Sequence, residues 1–329
     1  MIEFAYHSIL SDYKITWRLT SWCNFRCEYC QQKKEDKTSF DILVLRAYKI
    51  TELIDKIDDT ISLDLTGGEI MFYDVEELLE ILYRDKIKSI HITSNFSGPI
   101  ENFKKIVDFA QSKNVLITIC CSFHETQFIM DRFLGKYEEL VSYIIEKGCS
   151  NTVHIHIESV ETENNKNIMD ELRDRCEEEG FDVNIDKCRI SGSVNLDNIQ
   201  DKDLKYNILG INTFTQKYNY LIKKDGFIYT CSDKNTFYKL QENLITNGYY
   251  CSGPMKQLFI FGDEIYSIKC KLRRRIGYLG TLNDDINTFK FEPLLCVSDR
   301  PCTLCGFVGY DNNKERLIRT IKNKRVFLD

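Results

Sequence analysis

The sequence predicts an α/β fold: a partial (β/α)6 TIM-like barrel followed by a small β-hairpin-containing domain. Three observations lead there. Apolar strand-like runs alternate with helical periodicity six times between residues 14 and 188. The alternation stops near residue 195, where Gly, Asn and Asp become common. Short strand-like runs then follow, separated by Asp225-Gly226 and Gly262-Asp263. Repeated strand–helix units imply parallel strands joined by right-handed crossovers, and six are too few to close an eight-stranded barrel.

The elements follow in order. Residues 14–20 read as the first strand, entering a cysteine-rich loop; 31–38 are polar and read as loop. Ser39 is placed to cap a helix over 40–57, with Ile42, Leu43, Ala47, Ile50, Leu53, Ile54 and Ile57 at helical spacing. Strands are expected at 61–66, 89–93, 115–121, 152–158 and 182–188. The intervening helices are expected near 75–84, from Pro99 to 113, at 131–147 closed by Gly148, and at 165–179 closed by Gly180. The expected domains are a core over 1–195, a connector at 196–214, a second domain over 215–306 and a basic helix over 307–329. In the second domain strands are expected at 218–223, 227–231, 258–261 and 264–268.

The chain has 329 residues, 43% hydrophobic and 29% charged, the balance of an ordinary globular protein with a large core. The start of the chain lacks a basic and an apolar signal region, and no stretch reaches the roughly 18 apolar residues of a membrane span. A cytoplasmic location with no membrane partner is expected. Fourteen cysteines there favour metal ligation over disulfides. A net charge of −6 gives no general attraction to nucleic acid. The basic run over 269–275 reads as a solvated turn, or as a surface facing an anion.

Cys23-Asn24-Phe25-Arg26-Cys27-Glu28-Tyr29-Cys30 is the stretch that carries chemistry. Three thiolates within eight residues can converge on one metal centre, and no fourth Cys or His follows nearby. A trio suggests an iron–sulfur cluster with one iron left open; a zinc site completed by a distant ligand is the alternative. In parallel α/β folds ligands gather at the C-terminal ends of strands, which is where the other candidates fall. They are Gly67-Gly68-Glu69 after the second strand, Ser94 and Asn95 after the third, Ser122 and His124 after the fourth, Glu158 after the fifth and Arg189 after the sixth. His124 is a candidate general base or substrate hydrogen-bonder. His154 and His156 alternate with apolar residues and share one strand face.

The cysteine run, with an aromatic Tyr29 before its last cysteine, resembles the signature of the radical S-adenosylmethionine (radical SAM) superfamily, and the length and order of residues 10–190 match that family's core. The resemblance implies a [4Fe–4S] cluster on Cys23, Cys27 and Cys30. Its open iron would chelate the amino and carboxylate groups of S-adenosylmethionine, whose cleavage yields a 5′-deoxyadenosyl radical that takes a substrate hydrogen atom. Gly67-Gly68-Glu69 resembles the family's GGE motif, with a carboxylate available to the cofactor's ammonium. Ser94, Asn95 and Ser122 stand where the family places contacts to ribose or carboxylate, and Glu158 and Arg189 are further candidate contacts. The resemblance also implies an external one-electron donor of flavodoxin or ferredoxin type.

Beyond residue 195, Cys251, Cys270 and the Cys302-x2-Cys305 pair make a four-thiolate set, for a second cluster or a structural zinc. Their placement around hairpins resembles the twitch domain, the shortened SPASM domain of many radical SAM enzymes, and implies an auxiliary [4Fe–4S] cluster. Cys296 and Cys231 rival these for ligand positions. A four-thiolate cluster has no open iron, so its expected role is electron transfer. Cys149, Cys176 and Cys188 read as buried thiols, whereas Cys120, Cys121, Cys231 and Cys296 are candidates for a reactive thiol.

The expected function is oxidation of a small polar metabolite of sugar or cyclitol type, with the auxiliary cluster taking the electron. Only 22 residues precede Cys23, which leaves no room there for a leader-recognition domain. Crosslinking or epimerisation of a ribosomally made peptide is the alternative. A non-catalytic metal-binding interaction protein is the alternative from another class, and it predicts no cleavage of S-adenosylmethionine.

Overall fold

In a computed structural model the described residues are 2–6, 13–30, 35–187, 220–224, 227–231, 248, 250–267, 277–295, 309–311 and 313–322. The chain divides into two compact units. One takes residues 10–192 with 260–263; the other takes 1–9, 193–259 and 264–329. Strand β1 (Ile2–Tyr6) belongs to the second. The first unit holds β2 (Tyr13–Thr20), α1 (Phe40–Lys56), β3 (Ile61–Gly67), α2 (Val75–Leu82), β4 (Ile87–Ser94), α3 (Ile100–Lys113), β5 (Leu116–Phe123), α4 (Met130–Glu146), β6 (Val153–Glu161), α5 (Lys166–Glu179) and β7 (Val183–Lys187).

Strands β2 to β7 lie side by side in chain order, and every pair is parallel. Each helix thus carries the chain to the next strand along one wall. This is the partial TIM-like barrel that the alternation predicts. Elements match expectation to within a few residues. Ile42 departs from it: it falls one residue off the stripe Leu43, Ala47, Ile50, Ile54 and is 43% exposed, while those four are buried. Ser39 occupies the cap position of α1, but its hydroxyl makes no capping bond. Pro99 caps α3 one position before its first residue. Gly180 ends α5 in the left-handed region, at φ 68°, as a helix-closing glycine does.

The two faces of this sheet differ in character. In register across it run Ile15, Leu63, Ile90, Ile117 and Val153, then Trp17, Leu65, Ile92, Ile119 and Ile155, all buried. These apolar rungs pack under the helices. The opposite face carries Thr16, Asp64, His91, Thr118 and His154 in one rung, and Thr93, Cys120 and His156 in the next. Parallel strands covered on both sides read as unbroken apolar runs, so this alternation marks an inner face reserved for polar groups. As expected, His154 and His156 share it.

The helix side is closed by an aromatic knot. Phe96, just past β4, is fully buried and lies 4.7, 5.5 and 6.3 Å from the rings of Phe103, Phe133 and Tyr137. Lys136 Nζ sits 4.7 Å from its centroid and donates to the carbonyls of Phe96 and Gly98.

In the second unit a six-stranded sheet has the order β14-β10-β15-β1-β8-β9, with β8 (Tyr220–Lys224), β9 (Phe227–Cys231), β10 (Tyr250–Cys251), β14 (Leu294–Leu295) and β15 (Gly309–Asp311). Strands β8 and β9 form the antiparallel hairpin that Asp225-Gly226 predicts, with Lys224 opposite Phe227. Residues 2–6, ahead of the first strand expected from the sequence, form β1, paired antiparallel with both β8 and β15. Between β11 (Gln257–Phe261) and β12 (Glu264–Tyr266) the chain turns at Gly262, φ 61°, and β12 pairs antiparallel with β13 (Tyr278–Thr281). A terminal helix, α6 (Lys314–Lys322), lies within the basic tail predicted as helical, and its Leu317 is buried. No helix among the described residues is long and apolar enough to cross a membrane.

Emptying the aromatic knot is expected to be costly: Phe96→Ala should lose about 3–5 kcal/mol of unfolding free energy in urea titration, the range for truncating a buried Phe. A loss under about 1 kcal/mol would mean that the cluster repacks and that this contact does not hold the β4–α3 junction.

Candidate active site

The cysteine loop leaves the C-terminal end of β2, and its first turn is set by backbone bonds to the end of β3. The Gly68 N–H donates to Thr20 O at 2.8 Å and the Glu69 N–H to Trp22 O at 2.9 Å; Thr20 Oγ1 also accepts from the Trp22 N–H at 3.0 Å. The two glycines are required by this contact. Gly67 has φ 146°, in the region that side chains avoid, and a Cβ there would lie 2.4 Å from Thr20 O. A Cβ on Gly68 would lie 1.7 Å from Trp22 O.

Glu69 completes the clasp. Its side chain is 0% exposed; Oε1 accepts from the Met71 N–H (2.9 Å) and the Ser94 hydroxyl (2.8 Å), and Oε2 from the Asn95 N–H (2.6 Å). Burial pushes its carboxyl up to about 7, against the pull of the three donors. The Glu69 carboxylate is thus bound by the chain's own donors. Ser94 lies on the helix-covered face with Ile90 and Ile92, its hydroxyl engaged by Glu69 rather than presented to the inner face. Asn95 reaches the cysteine loop: Nδ2 donates to Asn24 Oδ1 at 3.0 Å and toward Cys23 Sγ at 3.5 Å, while Oδ1 accepts from the Ser97 N–H at 3.0 Å.

The far side of the loop rests on the exit of β5. Phe25 is buried, edge-on to His124 (5.8 Å) and Phe128 (6.3 Å), and the Arg26 N–H donates to Gln127 Oε1. Tyr29 Oη and His124 Nδ1 share a 2.7 Å hydrogen bond. Burial lowers the His124 pKa to about 4, so the ring is neutral at physiological pH. A base that weak accepts protons poorly near pH 7, and what this ring offers most readily is a hydrogen bond.

Cys23 and Cys27 are half-buried, Cys30 is exposed, and none of the three is in a disulfide. The Phe25 N–H also points at Cys23 Sγ, at 3.4 Å. N–H donors on a cysteine sulfur favour its thiolate, the form that ligates iron, so this loop fits a cluster held by three cysteines. Ser122, near the end of β5, and Glu158, three residues before the end of β6, are register partners on the polar inner face. Cys149 and Cys176 are buried as expected, and Cys121 is buried on the apolar face. In the second unit Cys251 is buried, with the Gly253 N–H 3.4 Å from its sulfur. Arg189, Cys188, Cys270, Cys296, Cys302, Cys305 and the basic run lie outside the described residues, and for Cys231 only the backbone, at the end of β9, is described.

Sequence reading missed two supports of the site. Tyr29 fits a motif position, but nothing in one dimension links it to a histidine 95 residues on. Lys136 sits in an ordinary amphipathic helix, yet burial lowers its pKa to about 8 while it holds the carbonyls after β4.

Two substitutions test the clasp. Gly68→Ala must break the bond from the Glu69 N–H to Trp22 O; the expected result is about 1–3 kcal/mol lost in thermal unfolding, as for overpacked sites, with reduced iron uptake. Wild-type stability and iron uptake would disprove the close approach. Because the folded protein keeps a proton on Glu69 up to about 7, against 4.5 for the free group, this residue's contribution to stability falls as pH rises through that window. Comparing unfolding free energy across it, Glu69→Gln should show a shallower decline than wild type; parallel curves would mean that Glu69 ionises normally.

The family model of the radical SAM superfamily matches residues 17–224. No curated protein matches the chain. Among solved structures, native anSMEcpe with bound AdoMet is similar at 14% identity and a TM-score of 0.47, over 84% of this chain and 80% of that one. The Streptococcus suis protein SuiB, bound to precursor peptide SuiA, is similar at 11% identity and a TM-score of 0.36, over 84% of this chain and 64% of that one. With the family model spanning more than half of its length, the chain belongs to the radical SAM superfamily.

Proposed function

We propose that this radical SAM enzyme removes a hydrogen atom from a small polar metabolite of sugar or cyclitol type and oxidises it, an auxiliary [4Fe–4S] cluster on Cys251, Cys270, Cys302 and Cys305 taking the electron. Membership of the superfamily carries a [4Fe–4S] cluster and S-adenosylmethionine as cofactors. When bound, they supply a reductively generated 5′-deoxyadenosyl radical. The observation that carries the substrate class is the inner face, where Asp64, His91, Ser122, His154, His156 and Glu158 take positions that covered parallel strands ordinarily give to apolar residues. A hydroxylated substrate satisfies such groups, whereas an apolar one would strip them of water without replacement.

The residues divide the work. Cys23, Cys27 and Cys30 hold the cluster, and Asn95 and the Phe25 N–H orient Cys23. Gly67, Gly68 and Glu69 fix the loop's approach, with Ser94 positioning Glu69. Ser122 and Glu158 at the strand ends, with Arg189, are proposed contacts to cofactor or substrate. Neutral His124, steadied by Tyr29, offers a hydrogen bond. The domains proposed above, the external electron donor and a cytoplasmic location belong to the same reading.

Anaerobic reconstitution tests it. With four irons per cluster, about eight are expected in wild type and about four in Cys23/Cys27/Cys30→Ala, and only wild type should cleave S-adenosylmethionine. Deoxyadenosine formation should be stimulated by cyclitols or sugars. Stimulation by peptides alone would replace the metabolite reading with peptide modification. Zinc in place of iron would remove the enzymatic reading.

A further inference from the structure

One cluster on the inner face has a donor set that a hydrogen-bonded substrate alone does not call for. Cys120 on β5 and His156 on β6 are register partners, and Glu158 lies two residues beyond His156 on the same strand, so all three project to one side. One ligand atom from each lies within 4.8 Å of the others. Cys120 is 0% and His156 5% exposed, while Glu158 is half-buried. His156 Nε2 is 3.7 Å from Glu158 Oε1, and Nδ1 is buried with no hydrogen-bond partner. A buried ring nitrogen left unsatisfied is costly unless something not yet accounted for binds there.

The donor chemistry indicates what that is. Sulfur, imidazole nitrogen and carboxylate oxygen together suit zinc and its neighbours. Calcium and magnesium, which take oxygen ligands, do not want a thiol. Two anionic ligands and one neutral ring balance a dication, which also supplies the charge needed to keep a thiolate in so buried a place. We propose that Cys120, His156 and Glu158 bind one divalent transition-metal ion of the zinc type, at a site separate from the cysteine loop. Binding displaces the Cys120 thiol proton to solvent. Three protein ligands leave a fourth position open, as in catalytic rather than structural zinc sites. That position takes water or a substrate oxygen or nitrogen, and Ser122 Oγ lies 3.8 Å from Cys120 Sγ. The metal site does not depend on the radical reading. Zinc uptake and cleavage of S-adenosylmethionine are separate measurements, and either can fail alone.

The test is zinc binding by the full chain after anaerobic iron–sulfur reconstitution, in wild type, Cys120→Ser and His156→Ala, with zinc K-edge absorption on wild type. One zinc per chain is expected in wild type, with affinity weaker by about tenfold or more in each variant and iron content unchanged. The wild-type zinc shell should be mixed, with a single sulfur at about 2.3 Å and light N/O ligands. Equal zinc affinity in wild type and both variants would overturn the site, as would no zinc uptake by wild type. If a variant loses iron as well and has misfolded, the wild-type shell decides: one sulfur with imidazole supports the site, and four sulfurs place the zinc on other cysteines and overturn it.

Discussion

The first unit's functional end depends on one contact, the pairing of the Gly67-Gly68-Glu69 turn with the backbone that opens the cysteine loop. Two N–H···O bonds bring β3's exit against Thr20 and Trp22 so closely that only glycine fits. The same turn drops Glu69 into a fully buried position where it takes three donors, two of them from Ser94 and Asn95 beyond the next strand. Hydrogen bonds to a buried carboxyl are individually worth about 1.5–3 kcal/mol when it is charged. Three segments far apart in the chain thereby become one rigid piece. Asn95 extends it to Cys23.

The motif residues therefore have a structural part of their own in the loop. Glycine is required here by the chain's own backbone, and the glutamate carboxylate is consumed by its neighbours. They hold the opening of the cysteine loop against the end of β3, and under the proposed function this matters because a cluster site tolerates little displacement. From the other side Phe25 and Tyr29 fasten the loop to His124. The loop is thus fixed at its first cysteine by strand ends and at its last turn by a histidine.

The sheet itself separates stability from chemistry by face. Rungs such as Trp17, Leu65, Ile92, Ile119 and Ile155 are buried beneath helices and supply the core. The alternate positions give a polar wall on which Lys14 pairs with Asp64 at 2.5 Å and His154 with Asp182 at 3.4 Å, while His156 Nδ1 has no hydrogen-bond partner. Because strand side chains alternate, a shift by one residue would exchange the two faces. The register that builds the core therefore also builds the site.

By itself the sequence determined the strand–helix order, the near-correct element limits, the cysteine trio, the polar face of β6 and the antiparallel pairing of β8 with β9, because each rests on local periodicity, turn chemistry or spacing that neighbours in the chain suffice to encode. It gave no strand at residues 2–6, since a five-residue strand is recognisable only through partners more than 200 residues away. Only the tertiary structure decided that Gly68 faces the Trp22 carbonyl, that Ser94 serves Glu69, that Tyr29 meets His124, and that Cys120 faces His156 and Glu158. Those facts depend on which strand lies beside which and in what register, and register is set by the summed packing of the whole sheet.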